Sequence, residues 1–146
     1  MNNQQRKIAR GERNNNPGNI DYNPANKWQG QLPHDPNIES RFCRFQSAEY
    51  GIRAIYKLLQ TYQRKYGLNS VAAIINKYAP PIENNTAGYI NRAATSIGVG
   101  INDHINTSDK KTGIALATAI VSVELGYQPY DEATFEKAWS LRWKGL

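Results

Sequence analysis

The chain has 146 residues, 40% of them hydrophobic and 21% charged, which is material for one globular domain with a single core and excludes a disordered polymer. With 18 Lys and Arg against 12 Asp and Glu, the net charge of +6 favours an anionic partner: nucleic acid, a membrane surface or an anionic cell-wall polymer. The single cysteine, Cys43, excludes an internal disulfide, and no apolar run approaches the roughly 20 residues that span a bilayer.

The polar start Met1 to Lys7 has no apolar segment behind it, so it does not read as a secretory signal and synthesis is expected in the cytosol. Residues 14–45 are rich in Asn, Pro and Gly, with short alternations at Asn19 to Tyr22 and at Arg41 to Phe45 that predict loops and a small two-stranded element. Cys43 fits there as a small buried apolar side chain. From Ser47 the pattern turns helical. Ser47 caps a helix that runs to about Tyr66 with Ile52, Ile55, Tyr56, Leu59 and Tyr62 inward, and Gly67 closes it. A short helix from about Ser70 to Tyr78 is stopped by Pro80-Pro81, and a third runs from near Asn85 to Ile97 and Gly98.

The fourth helix is the most completely apolar. Between Thr112 and Gly126, Ile114, Ala117, Val121 and Leu125 fall on one side and Leu116, Ile120 and Val123 on another, which leaves no broad polar face. Ser108 is the expected N-cap, with Asp109 in the first turn, and Gly126 is the stop. A fifth helix is expected from Asp131 to about Trp143. Neither an internal repeat nor a linker interrupts residues 1–146, which read as one domain.

One carboxylate stands where an acid is costly. Glu124 lies in the last turn of the apolar helix, where the negative end of the helix dipole and the apolar surroundings both raise a carboxyl pKa. A carboxyl held protonated near neutral pH can serve as a general acid; the competing reading turns Glu124 outward to solvent or to a Lys or Arg. Three further groups bear on a site. The stretch Arg13-Asn14-Asn15-Asn16-Pro17-Gly18-Asn19-Ile20 offers side-chain amides, Asn16 and Asn19 among them, that suit sugar hydroxyl and acetamido groups, or else an Asn-rich turn that satisfies its own backbone. Tyr78, Glu83 and Tyr89 surround one helix N-terminus and can line a cleft, although Glu83 also suits the helix dipole and Tyr89 the core. Trp28 is a candidate for stacking on a sugar ring. Zinc-finger, RNA-recognition and recognition-helix patterns are not seen, which disfavours nucleic acid, and no residue spacing calls for a metal or a cofactor.

Two resemblances gather these residues. Arg10 to Ile20, Phe45, Gly51 to Ala54, Ala79-Pro80-Pro81 and Glu83 to Tyr89 resemble a family of phage and prophage proteins often labelled virion structural protein, which implies a virion context with other virion proteins as partners. The chain also resembles lysozyme-fold enzymes of the lytic transglycosylase and glucosaminidase type. Glu124-Leu125-Gly126 is similar to the end of their catalytic helix, and Asn16 to Ile20, with Phe45, Ser47 and a long helix after it, is similar to the segment that follows there. Glu83, Thr86 and Tyr89-Ile90 are similar to their Glu-Thr-x-x-Tyr-Val pattern, with Asn84-Asn85 inserted, while the Gly-Leu-Met-Gln of transglycosylases is missing. The order is that of a circular permutation, which closely placed termini tolerate.

That resemblance implies a mainly α (α+β) lysozyme-like domain with a small loop and β lobe on its N-terminal side, acting on peptidoglycan at the bacterial wall. Glu124 would be the general acid, and Asn16, Asn19, Trp28, Tyr78, Glu83 and Tyr89 would bind substrate. Glycosidases usually need a second carboxylate, for which Glu12, Asp21 and Glu49 stand open, whereas a lytic transglycosylase needs one. The competing class is a non-catalytic virion or wall-binding protein on the same fold.

Overall fold

Every long helix starts at a side chain suited to cap it. The computed structural model describes residues 7–142. After one turn, α1 (Arg10–Arg13), come α2 (Ala48–Tyr66), α3 (Val71–Tyr78), α4 (Thr86–Ile97), α5 (Lys110–Leu125) and α6 (Glu132–Leu141). The side chains of Ser47, Ser70, Asn85, Asp109 and Asp131 accept a backbone N–H from the first turns of α2 to α6. Gly67, Gly98 and Gly126 close α2, α4 and α5 in the left-handed conformation. The chain is mainly helical, as the periodicities predicted.

Four details differ from the sequence expectation. Asp109, not Ser108, caps α5, because its carboxylate accepts both the N–H and the hydroxyl of Thr112, at 3.1 and 2.9 Å. The expected two-stranded element shrinks to isolated antiparallel bridges, Asp21 with Phe42 and Gln31 with Phe45. The last helix ends at Leu141, and Trp143 lies outside the described residues. The turn α1 was not anticipated.

The core is shared by all the long helices. α2 packs along α6, where Tyr56 stacks edge-on against Trp139 and its hydroxyl donates to the Phe135 carbonyl at 3.0 Å. α5 lies among α1, α2, α4 and α6, and Leu116, Ala117, Ile120 and Val121 are buried there. α4 joins α5 to α3 through Tyr89, Ile90, Ala93 and Ala94. No helix among the described residues is long and apolar enough to cross a membrane.

A buried carboxylate organises the N-terminal lobe. Glu39 is 4% exposed. It accepts Arg10 Nε and Nη2 at 2.7 and 2.6 Å, Asn14 Nδ2 at 3.0 Å, and the Arg41 and Phe42 amides at 2.8 Å each. These bonds, Arg10's first, hold its carboxyl well below the usual carboxylate range. A depressed pKa contributes stability above the ordinary carboxylate range that is lost as pH falls into strong acid. Glu39→Gln should therefore lower unfolding stability by about 3 kcal/mol at neutral pH, because Arg10 and two amides lose their anion. Urea denaturation should show this as an earlier midpoint with an unchanged slope.

Candidate active site

The geometry begins with the backbone of residues 14–20. Asn15 and Asn19 adopt left-handed φ angles of 51° and 50°, which Asn tolerates better than most residues, and the chain folds back on itself. Asn16 is fully buried. Its Nδ2 donates to the carbonyls of Ile20 and Cys43 at 3.0 and 2.9 Å, and its Oδ1 accepts the Ile20 amide at 2.9 Å. Asn14 holds Glu39, and Asn15 donates to the Phe45 carbonyl at 3.2 Å. Most of the Asn-rich stretch is thus spent on its own architecture, and Asn16 faces the protein interior rather than the cleft.

Asn19 is the exception. Its Nδ2 donates to Glu124 Oε1 at 3.0 Å, across 105 positions of sequence. Tyr89 OH lies 3.1 Å from Glu124 Oε2 and serves as its donor when the carboxyl is ionised. Asn19 and Tyr89 thus clamp the carboxyl of α5 from the N-terminal loop and from α4. A second clasp sets this register: Tyr127, just past α5, donates its hydroxyl to Glu12 of α1 and accepts the Ala9 amide at 2.9 Å.

Glu124 opens on a cleft of about 380 Å³ between the lobe and the helices. Gly18, Asn19, Asp21, Arg41, Tyr62, Lys77, Tyr78 and Glu83 line it with Glu124. Tyr78 OH donates to the Gly18 carbonyl at 2.6 Å and holds the loop to α3. Arg41 spans the rim, with Nε 2.7 Å from Asp21 Oδ1 and Nη2 3.1 Å from Glu83 Oε1. Burial pushes the Glu124 carboxyl above the usual glutamate value, against the opposing pull of Asn19, Tyr89 and the Arg41 charge. Burial also raises Tyr78 and Tyr89, so both remain hydroxyl donors.

The cleft continues as a groove. A second cavity of about 240 Å³ shares Gly18, Asn19, Asp21, Tyr62 and Tyr78 with the first and reaches Trp28. A third, of about 280 Å³, continues past Asn26 and Trp28 to the stacked rings of Tyr22 and His34, whose centroids are 3.9 Å apart. Trp28 therefore sits along the groove and not at the carboxyl. Its indole N–H is buried with no hydrogen-bond partner among the described residues.

Of the expected site residues, Asn19, Tyr78, Glu83 and Glu124 line the first cavity, and Tyr89 stands behind Glu124 as its hydrogen-bond partner. Among the carboxylates that stood open as a second acid, Asp21 lines the cleft, Glu12 is engaged by Tyr127, and Glu49 lies in the first turn of α2, outside the lining. Sequence reasoning missed Arg41, Lys77 and Tyr62. The expected pairing of residues 19–22 with 41–45 was a usable signal for Arg41, since Tyr22 N donates to the Arg41 carbonyl at 2.9 Å. Cys43 is buried, and burial lifts its thiol to about 11. Among the described residues no group of three His, Cys, Asp or Glu side chains is arranged to hold a metal ion.

No family model matches the chain. It is 37% identical over 133 residues to Protein P5 of Pseudoalteromonas phage PM2, an alignment that covers 90% of this chain and 80% of the phage protein. The chain belongs to the Protein P5 family. Kinship with P5 thus gives it a phage relative over nearly its whole length.

The raised pKa of Glu124 has a consequence for stability. Folding favours the protonated carboxyl, so its contribution is fully present below the ordinary carboxylate range and is lost as pH rises through the elevated folded value. Glu124→Gln, which fixes a neutral side chain of the same size, should raise the melting temperature at pH 7 to 8 and change it little near pH 4. Thermal scans of the two proteins across that range would show the gap opening with pH; a gap that closes would contradict the assigned burial.

Proposed function

We propose that this chain is a peptidoglycan-cleaving enzyme of lysozyme-like, circularly permuted architecture, carried by a phage to the bacterial wall. The observation that supports this reading is Glu124: a carboxyl at the end of a buried helix, its pKa raised, clamped by Asn19 and Tyr89 and open to an elongated polar groove. A buried acid whose carboxyl pKa is raised by desolvation suits protonation of a glycosidic oxygen. An elongated groove with amide, tyrosine and indole groups suits a neutral sugar chain. The bond cut would join N-acetylmuramic acid to N-acetylglucosamine.

The chemistry fits one carboxyl better than two. Asp21 and Glu83 share the rim with Glu124, but both are bound to Arg41, which weakens either as a nucleophile or base. In the single-carboxyl route, Glu124 gives its proton to the glycosidic oxygen as the bond from C1 breaks. The C6 hydroxyl of the muramic acid then closes on C1 and returns its proton to the Glu124 carboxylate. The products are a 1,6-anhydro end and a free 4-hydroxyl, and the acid is regenerated without water. A dedicated second carboxylate would instead direct water and leave a reducing end.

A second reading is favoured by kinship with a phage protein: a virion protein that binds wall glycan in this groove without cutting it and contacts other virion proteins. Incubation with purified peptidoglycan and mass spectrometry of the soluble fraction separates the readings. Anhydro-muropeptides are expected from the parent protein, and Glu124→Gln should release them at least about 10²-fold more slowly while keeping its fold. Reducing ends would assign hydrolysis. No products from the folded parent would leave the non-catalytic reading.

A further inference from the structure

The helix that floors the groove carries a second face with different chemistry. Ile55, Leu58 and Tyr62 of α2 point to the cleft side: Ile55 packs at Gly18, and Leu58 and Tyr62 line the groove. Arg53, Lys57, Gln60 and Arg64 recur at four- and three-residue spacing and fall on the opposite side of the same helix. Arg53 is buried and donates Nε to the Leu141 carbonyl at 3.0 Å, which seats the end of α6 beside this stripe. Arg142 follows there, its guanidinium 4.1 Å above the Trp139 ring.

The stripe holds donors of one sign of charge. Lys57 is half-buried, and Arg64 is exposed. The charges acting on Lys57 are those of Arg53, Arg64 and Arg142, which together with burial, the larger effect, depress its pKa. Between Lys57 and Arg64, the side-chain amide nitrogen of Gln60 is buried with no hydrogen-bond partner among the described residues. Lys57 and Arg64 lie two turns apart on this face and offer ammonium and guanidinium N–H donors, while the Gln60 amide between them carries both a donor and an acceptor. A carboxylate seated between Lys57 and Arg64 would relieve the repulsion between these two cations.

We propose that this outer face of α2 is an anchoring site for the carboxylate-bearing peptide stems of peptidoglycan, which holds a neighbouring strand of the wall while the groove on the other face works on its own. The inference rests on the peptidoglycan reading of the cleft. Charge complementarity selects the partner: the stems carry the wall's carboxylates, and the groove supplies sites for its neutral sugars. The two faces of one helix thus divide the polymer between them.

The test uses full-length Glu124→Gln protein as the non-cutting parent and adds Lys57→Glu with Arg64→Glu. Co-sedimentation with intact sacculi at low salt should fall on the order of tenfold in the charge-reversed protein. The parent should show a similar fall on sacculi whose carboxylates have been converted to neutral amides with carbodiimide and ethanolamine. Lys57→Gln with Arg64→Gln should give an intermediate loss, and matched thermal melts establish that each variant is folded. In the Glu124 background, the charge-reversed protein should cleave stem-free glycan chains at the parent rate. Equal sedimentation of parent and reversed protein, no sedimentation of the parent, or a loss confined to phosphatidylglycerol vesicles or duplex DNA would overturn the proposal. Charge-dependent sedimentation without cleavage of any glycan would instead refute the enzymatic reading of the cleft and leave the anchor standing.

Discussion

Desolvation of one carboxyl governs the arrangement around the cleft. Glu124 sits at the end of a helix whose neighbours Leu116, Ile120 and Val121 are fully buried, where ionisation costs more than in water. The fold answers with two partners from distant segments, Asn19 and Tyr89, each on its own carboxyl oxygen. Asn19 Nδ2 can donate to Oε1 in either protonation state. The Tyr89 hydroxyl can donate to an ionised Oε2 or accept from a protonated one. The pair therefore orients the acid and, by donating to its ionised form, pulls against the burial that raises its pKa.

Placing Asn19 there demands close approach of the backbone. Gly18 lies against Ile55 and the Tyr78 hydroxyl, and Gly51 of α2 lies against the Asn15 carbonyl; a methyl group at either would collide with these neighbours. The loop is thus pressed onto α2 and α3 at residues without side chains. Glu39 fixes its other end by gathering Arg10, Asn14 and the amides of Arg41 and Phe42. Arg41, whose amide is held there, extends its side chain to the cleft rim. A structural carboxylate and a cleft cation are therefore neighbours on one short segment.

The helices were legible because local chemistry decides them. Ser47 with Gly67, and Asn85 with Gly98, bound α2 and α4 within a residue of where periodicity placed them. Competition between adjacent caps was less readable: Ser108 and Asp109 both qualify, and the geometry of Thr112 chose Asp109. Glu124 was conspicuous as a lone acid at the end of an apolar run, and its contact with Asn19 could be anticipated only through resemblance, since no local pattern links positions 105 apart. Asn16 and Asn19 look alike in sequence, yet one is entirely consumed by backbone groups and the other reaches the carboxyl. That division depends on left-handed turns at Asn15 and Asn19 and on Glu39, a residue whose burial no periodicity announced. Arg41 was hidden for the same reason: its role arises from Asp21 and Glu83, which different loops bring to it.

Titration of the Glu124 carboxyl shows whether it is a desolvated acid poised between Asn19 and Tyr89. Carbon-detected NMR of protein labelled at the glutamate side-chain carboxyl, assigned by the signal lost in Glu124→Gln, gives its titration midpoint. The midpoint should lie above the ordinary glutamate value of about 4.3 and rise further in Tyr89→Phe, where a donor to the ionised form is removed. A midpoint at or below that ordinary value, unmoved by loss of the Tyr89 hydroxyl, would contradict that desolvation.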